Sequence, residues 1–167
     1  SNHDENSWSG TEFERMGDAV FQMAAFSFVL PGLPLIYTGQ EVGNTKRLAF
    51  FEKDTLMPQQ SDQFTDFYTR LIAFRKASDA LQVPPYGGLL EEVPHSGPSD
   101  VFAFIRQTEG NRVLALFNFS AQPASLQLTA PQAEGTYKDW NGEDQYTIDA
   151  RFTWNLEPYG YRLLTLE

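Results

Sequence analysis

The 167-residue sequence contains no cysteine, which excludes disulfide scaffolds, thiolate zinc sites and cysteine nucleophiles. Cations are scarce: 12 Lys plus Arg stand against 22 Asp plus Glu, a formal charge of -10. Binding a polyanion needs clustered cations, so nucleic acid is not expected as a partner. The two histidines, His3 and His95, lie far apart and neither belongs to a Glu-x-x-His pair, so no transition-metal site is expected. Asp-x-Asn calcium loops are also lacking. The most apolar run, residues 19–30, is shorter than the roughly 20 residues that a bilayer requires and is closed by Pro31; no membrane span is expected. The chain opens on Ser1 without a basic leader region, so a processed form or a fragment is expected. Absence of cysteine suits the cytoplasm and the periplasm or exterior alike, and leaves the compartment open.

Apolar residues make up 41% and charged residues 20% of the chain, the balance of an ordinary folded protein. Aromatics reach 14%, with 14 Phe, 7 Tyr and 3 Trp, enough ring area for a large core or a sugar-facing surface.

Two halves differ in periodicity. From Thr11 to about Leu81 the pattern reads as helical. Thr11 and Glu14 form a Thr-x-x-Glu capping box, and Phe13, Met16, Val20, Phe21 and Ala24 follow at helical spacing. Beyond Ala19 the helix is apolar on nearly every side, which predicts burial all round; Pro31-Gly32 ends it. Residues 33–38, Leu-Pro-Leu-Ile-Tyr-Thr, form a short unalternating run that predicts a strand covered on both faces, as in parallel sheets. A second helix is expected over 61–81, capped by Ser61 or Asp62, with its stripe at positions 64, 67, 68, 71 and 72. Val83-Pro84-Pro85 and Gly87-Gly88 then break the pattern. From residue 82 onward short period-two runs predict strands at 101–106, 112–119, 124–128, 136–140, 145–148, 151–155 and 161–166. Glu109-Gly110-Asn111 marks a hairpin and Asn141-Gly142-Glu143-Asp144 another turn. Seven or so such strands imply an antiparallel sandwich or barrel. A parallel-type strand without parallel neighbours suggests that the first 81 residues are a piece of a larger α/β unit.

Ser1-Asn2-His3-Asp4-Glu5-Asn6-Ser7-Trp8 resembles the Asn-His-Asp segment of the α-amylase family of glycoside hydrolases. Gly32-Leu33-Pro34-Leu35-Ile36-Tyr37-Thr38-Gly39-Gln40-Glu41 resembles the family's Gly-x-Pro-x-x-Tyr-x-Gly-x-Glu strand. The resemblance implies an α+β fragment: residues 1–81 as the last elements of a catalytic (β/α)8 barrel, two helices and one strand, and residues 82–167 as an antiparallel, Greek-key-like β-sandwich. It also implies action on α-glucans such as starch or maltodextrin. Retaining glycosidases need two carboxyl groups about 5–5.5 Å apart, and in the family these come from barrel strands that this sequence does not contain. What the resemblance leaves here is the third carboxylate, Asp4, as transition-state stabiliser, with His3 and Asn2 beside it and Trp8 as a sugar-stacking ring. The fragment alone is expected to be inactive and to carry no cofactor; any calcium belongs to the intact enzyme.

A transglycosylase or isomerase of the same family is an alternative, as is a non-catalytic carbohydrate-binding or structural sandwich. Trp140, Tyr146, Trp154, Tyr159 and Tyr161 would form the sugar platform of such a module, or else fill its core, for which the alternating neighbours of Trp154 and Tyr161 argue. Glu41 and Gln40 fall where barrel loops line a mouth, and His95 is expected to be solvated. Self-association of the fragment is expected, because its apolar helix and strand lack barrel neighbours.

Overall fold

The computed structural model describes residues 1–56, 62–142 and 144–167. The chain begins with a π-helical turn, Glu5–Ser9, followed by α1, Glu12–Met16, and α2, Val20–Val29. The capping box is formed: the Glu14 amide donates to Thr11 Oγ1, and the Thr11 amide donates to Glu14 Oε2 at 2.8 Å. The expected single helix is broken at Gly17, whose φ of 51° is open to glycine and interrupts the helical ladder. α2 is buried at Val20, Gln22, Ala24, Ala25, Phe28 and Val29 and leaves Ser27 exposed, so it is covered on most sides.

The expected buried strand at residues 33–38 is not formed. The segment has no regular secondary structure and joins no strand ladder among the described residues, and Leu33 and Leu35 are 84% and 58% exposed. A strand is stable only with neighbours that take its amides and carbonyls, and this segment has none. α3 spans Asp62–Ala77 and ends in a 3-10 turn, Asp79–Leu81; Ser61 lies outside the described residues. Its expected stripe holds, with Phe67, Tyr68 and Leu71 buried and Phe64 and Ile72 half-buried.

Eight strands follow among the described residues: β1 Leu90–Glu92, β2 Val101–Thr108, β3 Asn111–Asn118, β4 Ala124–Leu126, β5 Gly135–Asp139, β6 Gln145–Ile148, β7 Trp154–Leu156 and β8 Tyr161–Leu166. Six build one antiparallel sheet in the order β1-β2-β3-β8-β5-β6, and β4 and β7 pair across from it. The Glu109-Gly110 turn closes the β2–β3 hairpin with Thr108 opposite Asn111. The expected strand at 151–155 begins later, at Trp154, because Asp149 caps the preceding turn through the Arg151 amide.

The large sheet is buried on both faces. Val101, Ala103, Ile105, Leu114, Leu116 and Leu164 meet Leu126, Trp154 and Leu156 of the small sheet. On the opposite face Phe104, Val113, Ala115, Phe117 and Leu163 meet Ala25, Phe28, Val29, Phe67 and Leu71 of the helices. Double burial explains why β2 and β3 are nearly continuous apolar runs.

Arg106 lies on the helix-facing side and is fully buried. Its Nε donates to Gly88 O at 2.9 Å, Nη2 to Gln82 O at 2.8 Å, and Nη1 to Val29 O and Leu30 O, both at 3.2 Å. Arg75 donates to Phe28 O and Gly32 O. Two guanidinium groups thus take up the free carbonyls at the end of α2, where the helix dipole favours cations. The link needs Gly87-Gly88: a Cβ at Gly87 would stand 1.9 Å from Gln82 O, and one at Gly88 2.4 Å from the Gln107 amide. Removing the guanidinium would leave these carbonyls buried and unpaired, at about 1–3 kcal/mol for each buried group so stranded. Arg106→Ala is expected to lose about 3 kcal/mol in urea unfolding; a loss below about 1 kcal/mol would refute the clamp.

Candidate functional site

Two segments some 40 residues apart meet at the start of the chain. The Asn2 carboxamide oxygen accepts from the Glu5 amide at 2.9 Å and so caps the first turn. Asn6 is buried, and its Oδ1 accepts from the Leu48 amide at 2.7 Å, while Ser7 Oγ donates to Leu48 O at 2.7 Å. These bonds pin residues 47–51 against the opening turn. His3 Nε2 lies 3.5 Å from Asp4 Oδ2, and both side chains face solvent. The His3 ring also rests on Phe50, with centroids 5.3 Å apart.

Phe50 contacts Trp8 at 5.3 Å and Phe51 at 4.7 Å, and Trp8 and Phe51 are 62% and 84% exposed. The group therefore combines an acid, an imidazole and three accessible rings. Sequence reading singled out His3, Asp4 and Trp8 but missed Phe50 and Phe51. The paired rings in a loop bounded by Lys46-Arg47 and Glu52-Lys53 were the available signal. A cavity of about 410 Å³ opens beside them, lined by Trp8, Arg47, Phe50, Phe51, Glu52 and Asp54.

The loop is held electrostatically. Glu14 accepts from Arg47 Nε at 2.9 Å and Nη2 at 3.0 Å. The Arg47 guanidinium, and then the Thr11 amide, hold the Glu14 carboxyl at about 2. Lys46, followed by the Ala49 and Thr55 amides, likewise holds Asp54 at about 2. Below the opening turn Gln40 Oε1 accepts from the Tyr37 amide at 3.1 Å and its Nε2 donates to the Tyr68 hydroxyl at 2.6 Å. Burial, only partly offset by that bond, pushes Tyr68 up to about 12. Of the pair proposed at the barrel mouth, Gln40 is a bracing residue, whereas Glu41 is exposed and uses its carbonyl to accept from Thr65.

The remaining candidates fall elsewhere. His95 is not simply solvated: its Nδ1 accepts from the Gly97 amide, which leaves Nε2–H to donate to Val101 O at 3.1 Å, and both bonds close its loop. Trp154 is buried in the sandwich and leaves the proposed ring platform. Trp140 packs edge-on against Phe67 and Phe74 of α3, with the Arg70 guanidinium 5.6 Å from its ring centre. Among the described residues no group of three or more His, Asp or Glu side chains could hold a metal ion, and no helix is long and apolar enough to cross a membrane.

Residues 91–163 match the family model of the maltogenic amylase C-terminal domain. The α-amylase MalA of Haloarcula japonica is 30% identical over 157 residues, which is 88% of this chain and 22% of that protein. The α-amylase 2 of Dictyoglomus thermophilum is 27% identical over 134 residues, 73% of this chain and 22% of that protein. The chain thus spans about a fifth of the length of the curated relatives it matches. The crystal structure of a maltogenic α-amylase, AmyB, from Thermotoga neapolitana shares the fold with a TM-score of 0.75 at 16% identity, over 99% of this chain and 40% of that one.

Both depressed carboxyls stabilise the loop above the ordinary carboxylate range, and their contribution is lost as pH falls toward 2. Acidification through that window is expected to release residues 46–55, seen as a shift of the Trp8 indole NMR signal. Glu14→Gln should produce part of that shift already at neutral pH. A Trp8 signal indifferent to both would argue against the tether.

Proposed function

For a chain that belongs with the α-amylase family, we propose a role as the C-terminal portion of an enzyme acting on α-glucans such as starch or maltodextrin, by the retaining mechanism. The observation that carries this reading is the exposed His3–Asp4 pair, set beside the rings of Trp8, Phe50 and Phe51 by the bonds of Asn6 and Ser7 to Leu48. An anion and a donor fixed where positive charge develops on the sugar lower the barrier without forming a covalent bond. Asp4 is the transition-state stabiliser, His3 donates to the same ring, and Trp8 stacks on a neighbouring unit. Asn2 spends its carboxamide oxygen on the Glu5 amide and acts by shaping the turn.

Residues 1–81 are read as the closing elements of a (β/α)8 barrel and residues 82–167 as the domain behind it. The exposed Leu33 and Leu35 support this, as does an apolar hollow of about 320 Å³ lined by Met16, Met23, Phe26 and Leu30. Both are surfaces on which missing barrel elements, or a second copy of the fragment, would pack. The nucleophile and the acid/base lie outside this sequence. A structural task for the sandwich has its own support. Arg106 and Gln22, whose Nε2 donates to Asn118 O at 2.6 Å and Gly160 O at 3.2 Å, lock it onto the helices.

Asp4→Asn in the intact enzyme is expected to lower kcat by about 10²–10³-fold or more, with the melting temperature unchanged; undiminished turnover would remove Asp4 from the reaction. The 167-residue chain alone is expected to release no reducing ends from starch, and clear turnover by the pure chain would contradict the missing carboxyl pair.

A further inference from the structure

A second concavity lies on the far side of the helices, between α3 and the β5–β6–β8 edge of the large sheet. Its volume is about 510 Å³, and its walls include Arg70, Trp140, Tyr146, Tyr159, Tyr161 and Arg162. That volume falls within the roughly 300–1,000 Å³ of small-molecule sites. No residue of the opening turn or of the 47–54 loop contributes to it. Trp140 and Tyr161 lie on adjacent segments, since the Trp140 amide donates to Leu163 O at 2.9 Å.

Two features set this cavity apart from a packing defect. Tyr159 has a φ of 53° and is the one non-glycine residue in the left-handed region among the described residues. A bulky side chain there is strained, and such strain persists where the surroundings impose it, often at ligand clamps. Here the imposing bonds are visible. The Tyr159 amide donates to Ser120 O at 3.0 Å, and the Gly160 carbonyl accepts from the Asn118 amide at 2.9 Å and from Gln22. In addition, Arg162 Nε is buried without a hydrogen-bond partner among the described residues, although its Nη1 donates to Tyr161 O. A buried guanidinium donor calls for an acceptor.

The wall chemistry selects the ligand class. Arg70 and Arg162 are balanced by Asp139 and Asp144 in the same lining, so a phosphate or carboxylate gains little and a neutral ligand is favoured. The lining holds six aromatic rings, those of Phe21, Phe67, Trp140, Tyr146, Tyr159 and Tyr161, which supply apolar surface, while guanidinium and carboxylate groups offer paired donors and acceptors. Together they fit a neutral polyhydroxylated ring with one apolar face. We propose that this cavity is a second α-glucan site, separate from Asp4, with Tyr159 held against the sugar by the strained turn. The choice of α-glucan rests on the proposed function; the existence of a sugar site does not.

The test is calorimetric titration of the 167-residue chain with maltoheptaose, beside Tyr159→Gly, Arg70→Gln and Asp4→Ala variants. Tyr159→Gly removes the ring and the strain together. It is expected to keep or raise the melting temperature while weakening binding at least tenfold, a split that a merely structural tyrosine would not produce. Arg70→Gln should also weaken binding at this site, and Asp4→Ala should leave the Tyr159-dependent binding unchanged, removing at most a separate event at the opening turn. Saturable binding of cellohexaose in place of maltoheptaose, still lost in Tyr159→Gly, would keep the sugar site and overturn the α-glucan reading. No saturable binding of either sugar, or binding lost in Asp4→Ala and kept in Tyr159→Gly, would overturn the site.

Discussion

Arg106 is the interaction on which the arrangement of this chain depends. It projects from the middle of a β-hairpin into the helical layer and meets only backbone carbonyls there: the end of α2, the turn after α3, and the Gly88 link. Burying a cation without an acid is costly unless every donor is used, and here the donors are used on groups that would otherwise be stranded at helix ends. Desolvation lowers its affinity for its proton, and the nearby Arg75 adds to that. The two cations tolerate each other because each is surrounded by carbonyl dipoles. Helices and sheet are therefore joined by polar complementarity as well as by apolar contact.

That junction makes the large sheet a middle layer. One face closes a small sandwich with β4 and β7, and the other carries the helices through stacked and edge-on phenylalanines such as Phe26, Phe104 and Phe117. The rigid middle layer also fixes the turn at residues 157–161, since Gln22 of α2 holds Gly160 from the helix side. Strain at Tyr159 is sustained by packing that extends through three layers.

The opening turn is held by a different kind of force. Side-chain bonds to backbone from Asn6 and Ser7 and the Arg15–Glu5 ion pair tether it, while exposed pairs through Arg47 and Lys46 hold the loop beside it. Segments tied in this way open more easily than packed cores.

Much of this was legible in the residues themselves. The Thr11–Glu14 capping box, the α3 stripe from Phe64 to Ile72, the Glu109-Gly110 hairpin and the β3, β5, β6 and β8 runs follow from short-range rules of cap geometry, period and turn chemistry, and each formed close to its expected place. That His3 and Asp4 lie together was legible too, because adjacent residues share a neighbourhood whatever the fold. What the tertiary structure alone decided depended on partners distant in sequence. Residues 33–38 have the composition of a buried strand, yet a ladder needs a neighbour and the described residues supply none. Nothing local to its strand marks Arg106 as the joint, and it becomes one only when helix ends arrive around it. Phe50 and Phe51 join the opening turn only because Leu48 is caught by Asn6 and Ser7, and His95 finds Val101 only when its loop closes. Local pattern determines which element a segment can form, while long-range contacts determine what each face of that element meets, since apolar burial is indifferent to sequence distance.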